Sequence, residues 1–290
     1  MRIACIDIGG TTIKRLCVRA EKGTPLCEYR AEGYEVAPTC AAQGFDAIRS
    51  AVYGSISALV EKYGCEAIAV STAGTVDWDS GVVTYATDAL PGFTGYDIRG
   101  DLAQKFGLPV RVINDATAAA IAEHYHGGEE DAEAVLTIGT GLGSALVKGG
   151  TLDADSVVDL HLGHVCYVKD GEMCKCGKRG CLEQYVSASA MRRMSGERDL
   201  DAVFADYDKY RAATDAFIAA LSEAVRLAFG AGATGVIVGG GVIEIAGWWD
   251  LFLRKTEPVF VKRIRKAALG NRAGAFGAAY AALNGQFKNQ

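Results

Sequence analysis

The chain has 290 residues, half of them hydrophobic and 22% charged, with a formal net charge of −5 at pH 7. That length exceeds what one average core supports, so two lobes are expected. The acidic balance, with Lys and Arg scattered rather than striped, argues against a nucleic-acid or anionic-lipid partner, and no apolar run reaches the roughly 20 residues of a membrane span.

The opening MRIACIDIGG is too short in its apolar part for a signal h-region, so a cytoplasmic protein is expected. Residues 2–8 and 13–20 read as strands separated by Gly9-Gly10-Thr11-Thr12, and a third strand near 26–36 follows the turn at Lys22 to Pro25, making a meander. Phe45, Ile48, Val52, Ile56 and Leu59 recur at steps of three and four, which predicts a helix over 43–63. A strand at 67–74, a helix at 97–106, the strand VRVIN (110–114) and an Ala-rich helix at 116–126 come next.

At 134–149 the opening pattern recurs. Ile6 to Thr11 and Leu136 to Gly141 are each a strand running into a Gly/Thr loop that leads to another apolar strand. A duplicated β-loop-β unit about 130 residues apart implies two similar lobes. Beyond it, helices are expected at 187–194 and 213–229, a strand at 235–241 ending in three glycines, a helix around 248–262 and a small-residue helix at the C-terminus. The expected division is a lobe of residues 1–115, completed by helix 274–290, and a lobe of 116–273. Trp248 and Trp249 read as core packing.

The most specific chemical signal lies at 161–185. His164, Cys174, Cys176 and Cys181, in a Cys-x-Cys-Gly-x-x-Gly-Cys spacing, are a tetrahedral set of imidazole and thiolate donors. Such a set suits a structural zinc with no open position; the other reading is a buried or reactive thiol cluster with His164 at the surface. The remaining cysteines, Cys5, Cys17, Cys27, Cys40, Cys65 and Cys166, read as mostly buried free thiols.

Around Gly9, Gly10, Thr11 and Thr12, and again around Thr140 and Gly141 and at Gly239, Gly240 and Gly241, backbone N–H groups and hydroxyls are presented without Cβ obstruction. Each loop alone is a tight turn or a phosphate cradle; together they favour a nucleotide held by two lobes, with Asp7 orienting Mg²⁺ or its waters. No Rossmann or Walker pattern is present, because a strand follows each of the first two loops. Asn114-Asp115, at a strand-to-helix junction, reads either as an N-cap or as a site in which Asp115 is a general base. Glu183, two residues past Cys181, is either a solvated surface carboxylate or a ligand for vicinal hydroxyls held by a metal-braced loop.

In this order and at these intervals, Asp7-Ile-Gly-Gly-Thr11, Asn114-Asp115, Gly139-Thr-Gly141, Leu162-Gly-His164 and Cys174 to Glu183 resemble the ROK family of bacterial sugar kinases and repressors. The resemblance implies an α/β, actin-like ATPase (ribonuclease H-like) duplicated two-lobe fold with a structural zinc loop. It also implies ATP and Mg²⁺ as cofactors, a small-molecule sugar substrate and a homodimer. By similarity, Asp115 would take the proton from a sugar hydroxyl, most readily the 6-OH. Gly74, Asn114, His161, His164 and Glu183 would contact the sugar; Asp7, Gly9, Gly10, Thr11, Thr12, Thr140 and Gly141 would hold phosphates and Mg²⁺; and Gly239 to Gly241 would lie near the adenosine.

Two departures stand out: His161 replaces the family's usual Glu before Leu-Gly-His, and Asp88 stands where many members carry Asn. The first removes a carboxylate that in the family grips the anomeric end of the sugar, which calls the usual glucose or N-acetylmannosamine assignment into question and leaves room for a sugar substituted or altered near C1 or C2. Competing readings are a sugar-responsive regulator, for which no DNA-binding segment is expected ahead of Asp7, and a sugar-binding protein without catalysis.

Overall fold

The computed structural model describes residues 1–127 and 131–285, which fall into two compact units. One comprises Met1–Gly127, Gly150–Val157 and Arg272–Gln290, the other Gly128–Gly149 and Val158–Asn271. Residues 286–290 of the expected C-terminal helix lie outside the described residues.

In the first unit, strands β1 (Arg2–Ile8), β2 (Thr12–Arg19) and β3 (Arg30–Pro38) form the expected antiparallel meander. The third strand begins four residues later than expected, because Pro25 introduces a 3₁₀ turn at Leu26–Glu28 first. Helix α1 (Phe45–Tyr63) buries Ile48, Val52, Ile56 and Leu59 and ends at Gly64, whose left-handed backbone lets its N–H reach the Val60 carbonyl. Strand β4 (Ala67–Thr72) then runs parallel to β1. A short hairpin of β5 (Thr75–Val76) and β6 (Val83–Tyr85), not foreseen, precedes α2 (Ile98–Phe106). Strand β7 (Val110–Asn114) is parallel to β4, so the sheet order is β3-β2-β1-β4-β7.

Helix α3 (Asp115–Gly127) belongs to this first unit, not to the second as the expected boundary at 115 had it. The reason is packing. Ala118 meets Gly277 of the small-residue C-terminal helix, Ala273–Asn284, so closely that a Cβ at Gly277 would collide with the Ala118 carbonyl oxygen, and Tyr125 stacks on Tyr280 with ring centroids 4.4 Å apart.

The second unit repeats the plan. Strands β8 (Ala132–Ile138) and β9 (Leu142–Lys148) are an antiparallel hairpin, β10 (Val157–Asp159) borders β9, and helices α4 (Ala188–Ser195), α5 (Leu200–Ala205) and α6 (Tyr207–Gly230) lead to β11 (Gly235–Gly239). The expected helix at 248–262 is two pieces, α7 (Trp249–Lys255) and α8 (Pro258–Val261), because Pro258 lacks an N–H and disfavours helical backbone at Glu257. Strand β12 (Ile264–Lys266) completes the order β10-β9-β8-β11-β12, with β8, β11 and β12 parallel. The helix expected at 213–229 starts at Tyr207, capped by Asp206 on the Lys209 N–H and bent at Tyr210. The chain ends with α9 (Ala273–Asn284), back in the first unit.

The two sheets therefore share one strand order, and β9-β8-β11-β12 repeats the orientations of β2-β1-β4-β7, which is the duplication expected from the two Gly/Thr loops. Each has its own core: Ile6, Ile8, Ile13, Ile48 and Ile68 in the first unit, and Leu136, Phe217, Leu221, Trp248 and Phe252 in the second. Trp248 is fully enclosed there, its indole N–H donating to the Val242 carbonyl, whereas Trp249 packs at the edge. All nine cysteines are free, but of the six outside the 174–181 cluster only Cys5, Cys17 and Cys65 are buried. Cys27 and Cys166 are exposed and Cys40 is half-buried. Among the described residues, no helix is long and apolar enough to cross a membrane.

Candidate active site and metal cluster

In the first unit, the sheet register assembles a polar row. Asp7 on β1 pairs with Lys14 on β2 and with Ser71 on β4, so all three side chains leave the sheet on the same face. Lys14 Nζ lies 3.1 Å from Asp7 Oδ2, and the Ser71 hydroxyl donates to Asp7 Oδ1 at 2.8 Å. Both oxygens of the carboxylate are thus held. The Gly9–Thr12 loop joins the strands of Asp7 and Lys14 and closes through a 2.9 Å bond from the Gly9 N–H to the Thr12 carbonyl, with the Thr39 hydroxyl donating to the Gly9 carbonyl at 2.6 Å.

Further along the same sheet, Asn114 and Asp115 stand at the end of β7 where α3 begins. Both readings of this pair hold at once. Asn114 Oδ1 accepts from the Thr117 N–H at 2.9 Å, an N-cap bond, while its Nδ2 donates to the Gly74 carbonyl at 2.7 Å and to Asp115 Oδ1 at 3.0 Å. Position 74 demands glycine: its φ is +104°, and a Cβ would lie 2.6 Å from the Tyr85 carbonyl oxygen. Asp115 Oδ1 also accepts from the Ala116 N–H at 2.8 Å. Burial, reinforced by the negative charge of Asp7, pushes the Asp115 carboxyl up to about 7, against the pull of the Ala116 N–H and of Lys14. A carboxylate so placed is a proton acceptor matched to neutral pH.

The second unit gathers the four predicted metal ligands. One donor atom each from His164, Cys174, Cys176 and Cys181 lies within 4.8 Å of the others. His164 Nδ1 is 3.7 Å from Cys174 Sγ, and Cys176 Sγ is 3.5 Å from Cys181 Sγ. Tetrahedral zinc with Zn–S bonds of about 2.3 Å sets its ligand atoms about 3.7 Å apart, so the residues fit that ion. Burial, helped by the nearby Glu183 carboxylate and opposed by the Cys176 N–H, pushes the protonated Cys174 thiol up to about 12. A coordinated cation reverses that preference, because a thiolate ligand is deprotonated on binding.

Glu183 is not the solvated carboxylate of the alternative reading. Its side chain is 16% exposed, and Oε1 lies 3.0 Å from Cys174 Sγ and 3.9 Å from His164 Nδ1. Its other oxygen approaches the Thr140–Gly141 loop so closely that a Cβ on Gly141 would be 2.7 Å away. The metal cluster and the second Gly/Thr loop are therefore one assembly. That loop closes by a 3.0 Å bond from the Gly139 N–H to the Gly141 carbonyl. Gly239 ends β11 in the same unit, and Gly240 and Gly241 follow it.

His161 is apart from the cluster. Its side chain is 67% exposed, and its Nδ1 is 3.2 Å from Asp159 Oδ1, which also accepts its backbone N–H at 2.9 Å. Its φ of 48° is in the left-handed region. Asp88 is exposed, and its neighbour Ala89 packs on Gly10.

Two polar residues of the first-unit row, Lys14 and Ser71, were missed from the sequence. The signal was present in part: a four-residue loop pairing Ile8 with Ile13 puts Asp7 opposite Lys14, whereas the Asp7–Ser71 register comes only from the parallel crossover.

With this geometry in view, comparison with known proteins gives a consistent answer. The sequence profile of the ROK family matches residues 3–284. The chain belongs to the ROK family. The chain is 35% identical to a glucokinase of Streptomyces coelicolor over 67% of its own length, and it spans only 58% of that relative. It is 30% identical to an N-acetylmannosamine kinase of Escherichia fergusonii over 70% of this chain and 69% of that one. A crystal structure of a ROK family glucokinase from Streptomyces griseus, in complex with glucose and AMPPNP, superposes with a TM-score of 0.74 at 27% identity, covering 96% of this chain and 98% of that one.

Proposed function

We propose that this ROK protein is an ATP-dependent sugar kinase, transferring the γ-phosphate of ATP to a hydroxyl, most readily the 6-OH, of a hexose or N-acetylhexosamine such as glucose or N-acetylmannosamine. The observation that carries the reading is Asp115: a half-buried carboxylate where a strand meets a helix, raised to about 7 and fixed by Asn114, in a chain whose relatives are named as sugar kinases.

In this reading Asp115 accepts the proton of the attacking hydroxyl, which becomes a better nucleophile as the proton leaves. Asn114, fixed through Gly74 and Thr117, holds the hydroxyl in line, and Gly74, His161, His164 and Glu183 contact the rest of the sugar. The backbone amides and hydroxyls of Gly9, Gly10, Thr11, Thr12, Thr140 and Gly141 receive phosphate oxygens, and Gly239, Gly240 and Gly241 lie by the adenosine. Asp7 would hold magnesium or its waters, and that ion supplies charge neutralisation for the phosphates. His164, Cys174, Cys176 and Cys181 would hold zinc, which supplies rigidity and no open coordination position. Most of the rate enhancement then comes from positioning and electrostatics. The same reading takes the protein as a cytoplasmic homodimer without a nucleic-acid or membrane partner, supported by the family resemblance and the acidic net charge.

Purified protein, supplied with Mg·ATP and a panel of hexoses and hexosamines under coupled ADP detection, should turn over ATP only when an accepted sugar is present. Absence of sugar-stimulated turnover across the whole panel would sink the proposal.

A further inference from the structure

The proposed reaction gives no role to Lys14, the ammonium paired with Asp7. Ile13 and Cys17 of β2 join the hydrophobic core, whereas Lys14 lies on the opposite face of that strand, beside Asp7. Its side chain is 28% exposed and that of Asp7 13%, so the ammonium is partly withdrawn from water without being closed in. The Gly9–Thr12 loop runs between the two residues, which places the ammonium at one foot of the loop and the Asp7 carboxylate at the other.

Charge balance makes this position informative. The Asp7 carboxylate disfavours the charge of Asp115, and a nucleotide adds further negative charge at the same loop. Phosphoryl transfer spreads negative charge over the three equatorial oxygens of the moving group, and fixed cations are the protein's means of offsetting it. Lys14 is a cation already aimed at this place, long enough to exchange one oxygen partner for another, and its charge is felt at Asp115. Ser71 holds the other oxygen of Asp7, so the carboxylate keeps a partner when the ammonium turns away.

We propose that Lys14 is a further catalytic residue of this kinase, its ammonium leaving or sharing Asp7 to contact the phosphoryl group in transfer. The inference rests on the sugar-kinase reading. In the step itself, the bond between the sugar oxygen and the γ-phosphorus forms while the bond from that phosphorus to the β–γ bridging oxygen breaks. The electron pair departs on ADP and the hydroxyl proton goes to Asp115. Lys14 neither gives nor takes a proton; it supplies charge at oxygens that gain charge.

The alternative is that Lys14 only holds Asp7 in place. Lys14→Gln separates the two, because a side-chain amide still donates a hydrogen bond to Asp7 but carries no charge. The contacting role expects Lys14→Gln and Lys14→Met each to lower kcat at least 100-fold while the KM for sugar and the affinity for AMPPNP stay within about threefold, and Lys14→Arg to keep a tenth or more of the rate. It also expects both neutral variants to lose binding of Mg·ADP with aluminium fluoride and sugar, a mimic of the transferring group, while they retain AMPPNP. Near-wild-type kcat in Lys14→Gln, or retained aluminium fluoride binding in a folded variant, overturns the inference and leaves the kinase reading intact. A wild-type protein inert to every sugar removes both.

Discussion

The side-chain amide of Asn114 donates to the Gly74 carbonyl at 2.7 Å while its oxygen caps the Thr117 N–H at 2.9 Å. One residue thus ties the loop after β4 to the start of α3. Replacing it with alanine removes a cap and a loop anchor together, and should lower stability by about 1–2 kcal/mol. If Asn114 also holds the sugar, its KM rises at least tenfold. Urea unfolding and sugar titration of Asn114→Ala check the two effects separately, and a change in neither would remove Asn114 from both roles.

Asp115→Asn should lower kcat by about 10²–10⁴, the range for loss of a general base. It should also stabilise the protein at pH 8. The sign follows from the carboxyl being raised from its ordinary 3.8 to about 7. Between those values the folded chain keeps a proton that the unfolded chain has released, so stability falls as pH rises through that window and the loss is complete above it. The loss is at most about 4 kcal/mol, at about 1.4 kcal/mol for each tenfold fall in proton concentration across the window. Unfolding of wild type and Asp115→Asn at pH 5 and pH 8 should show the gap between them widen at the higher pH.

The same group governs the rate. Because the base must be unprotonated, kcat/KM for the sugar should rise with unit slope below about pH 7 and level off above it. A profile flat from pH 5 to 8 in the wild type would assign the proton transfer elsewhere.

Protein never exposed to chelator should carry about one equivalent of zinc per chain, and Cys174→Ser or Cys181→Ser should fall below about half. Glu183 is 3.0 Å from Cys174 and packs on the Gly141 loop, so loss of the metal should disturb sugar affinity without touching Asp115. The expected result is a sugar KM raised at least tenfold in metal-depleted protein, restored by added zinc. Elemental analysis and kinetics on the same samples decide it.

Much of the fold could be read directly because it depends on local pattern. The apolar spacing of Ile48, Val52, Ile56 and Leu59 meets only one helix face, and the paired Gly/Thr loops mark equivalent hairpins in two sheets of the same order. The breaks came where a local signal competed with a longer pattern: Pro258 divides one apolar helix into two, and Pro25 delays β3. The unit boundary escaped for a different reason. Where α3 belongs is settled by Ala118 meeting Gly277 and Tyr125 stacking on Tyr280 of α9, more than 140 residues later in the chain.

The site divides in the same way. The amino-acid sequence alone determined which residue types stand at which intervals: four thiolate and imidazole donors in one short segment, glycine loops at strand ends, and a carboxylate at a strand-to-helix junction. Those are properties of neighbours along the chain. Only the tertiary structure decided that Asn114 is both cap and anchor, that Glu183 is enclosed against Cys174 and Gly141, and that Lys14 and Ser71 hold the two oxygens of Asp7. Each of these depends on the register between strands or the approach of separate loops, and it is there that burial and neighbouring charge raise Asp115 to a proton acceptor suited to neutral pH.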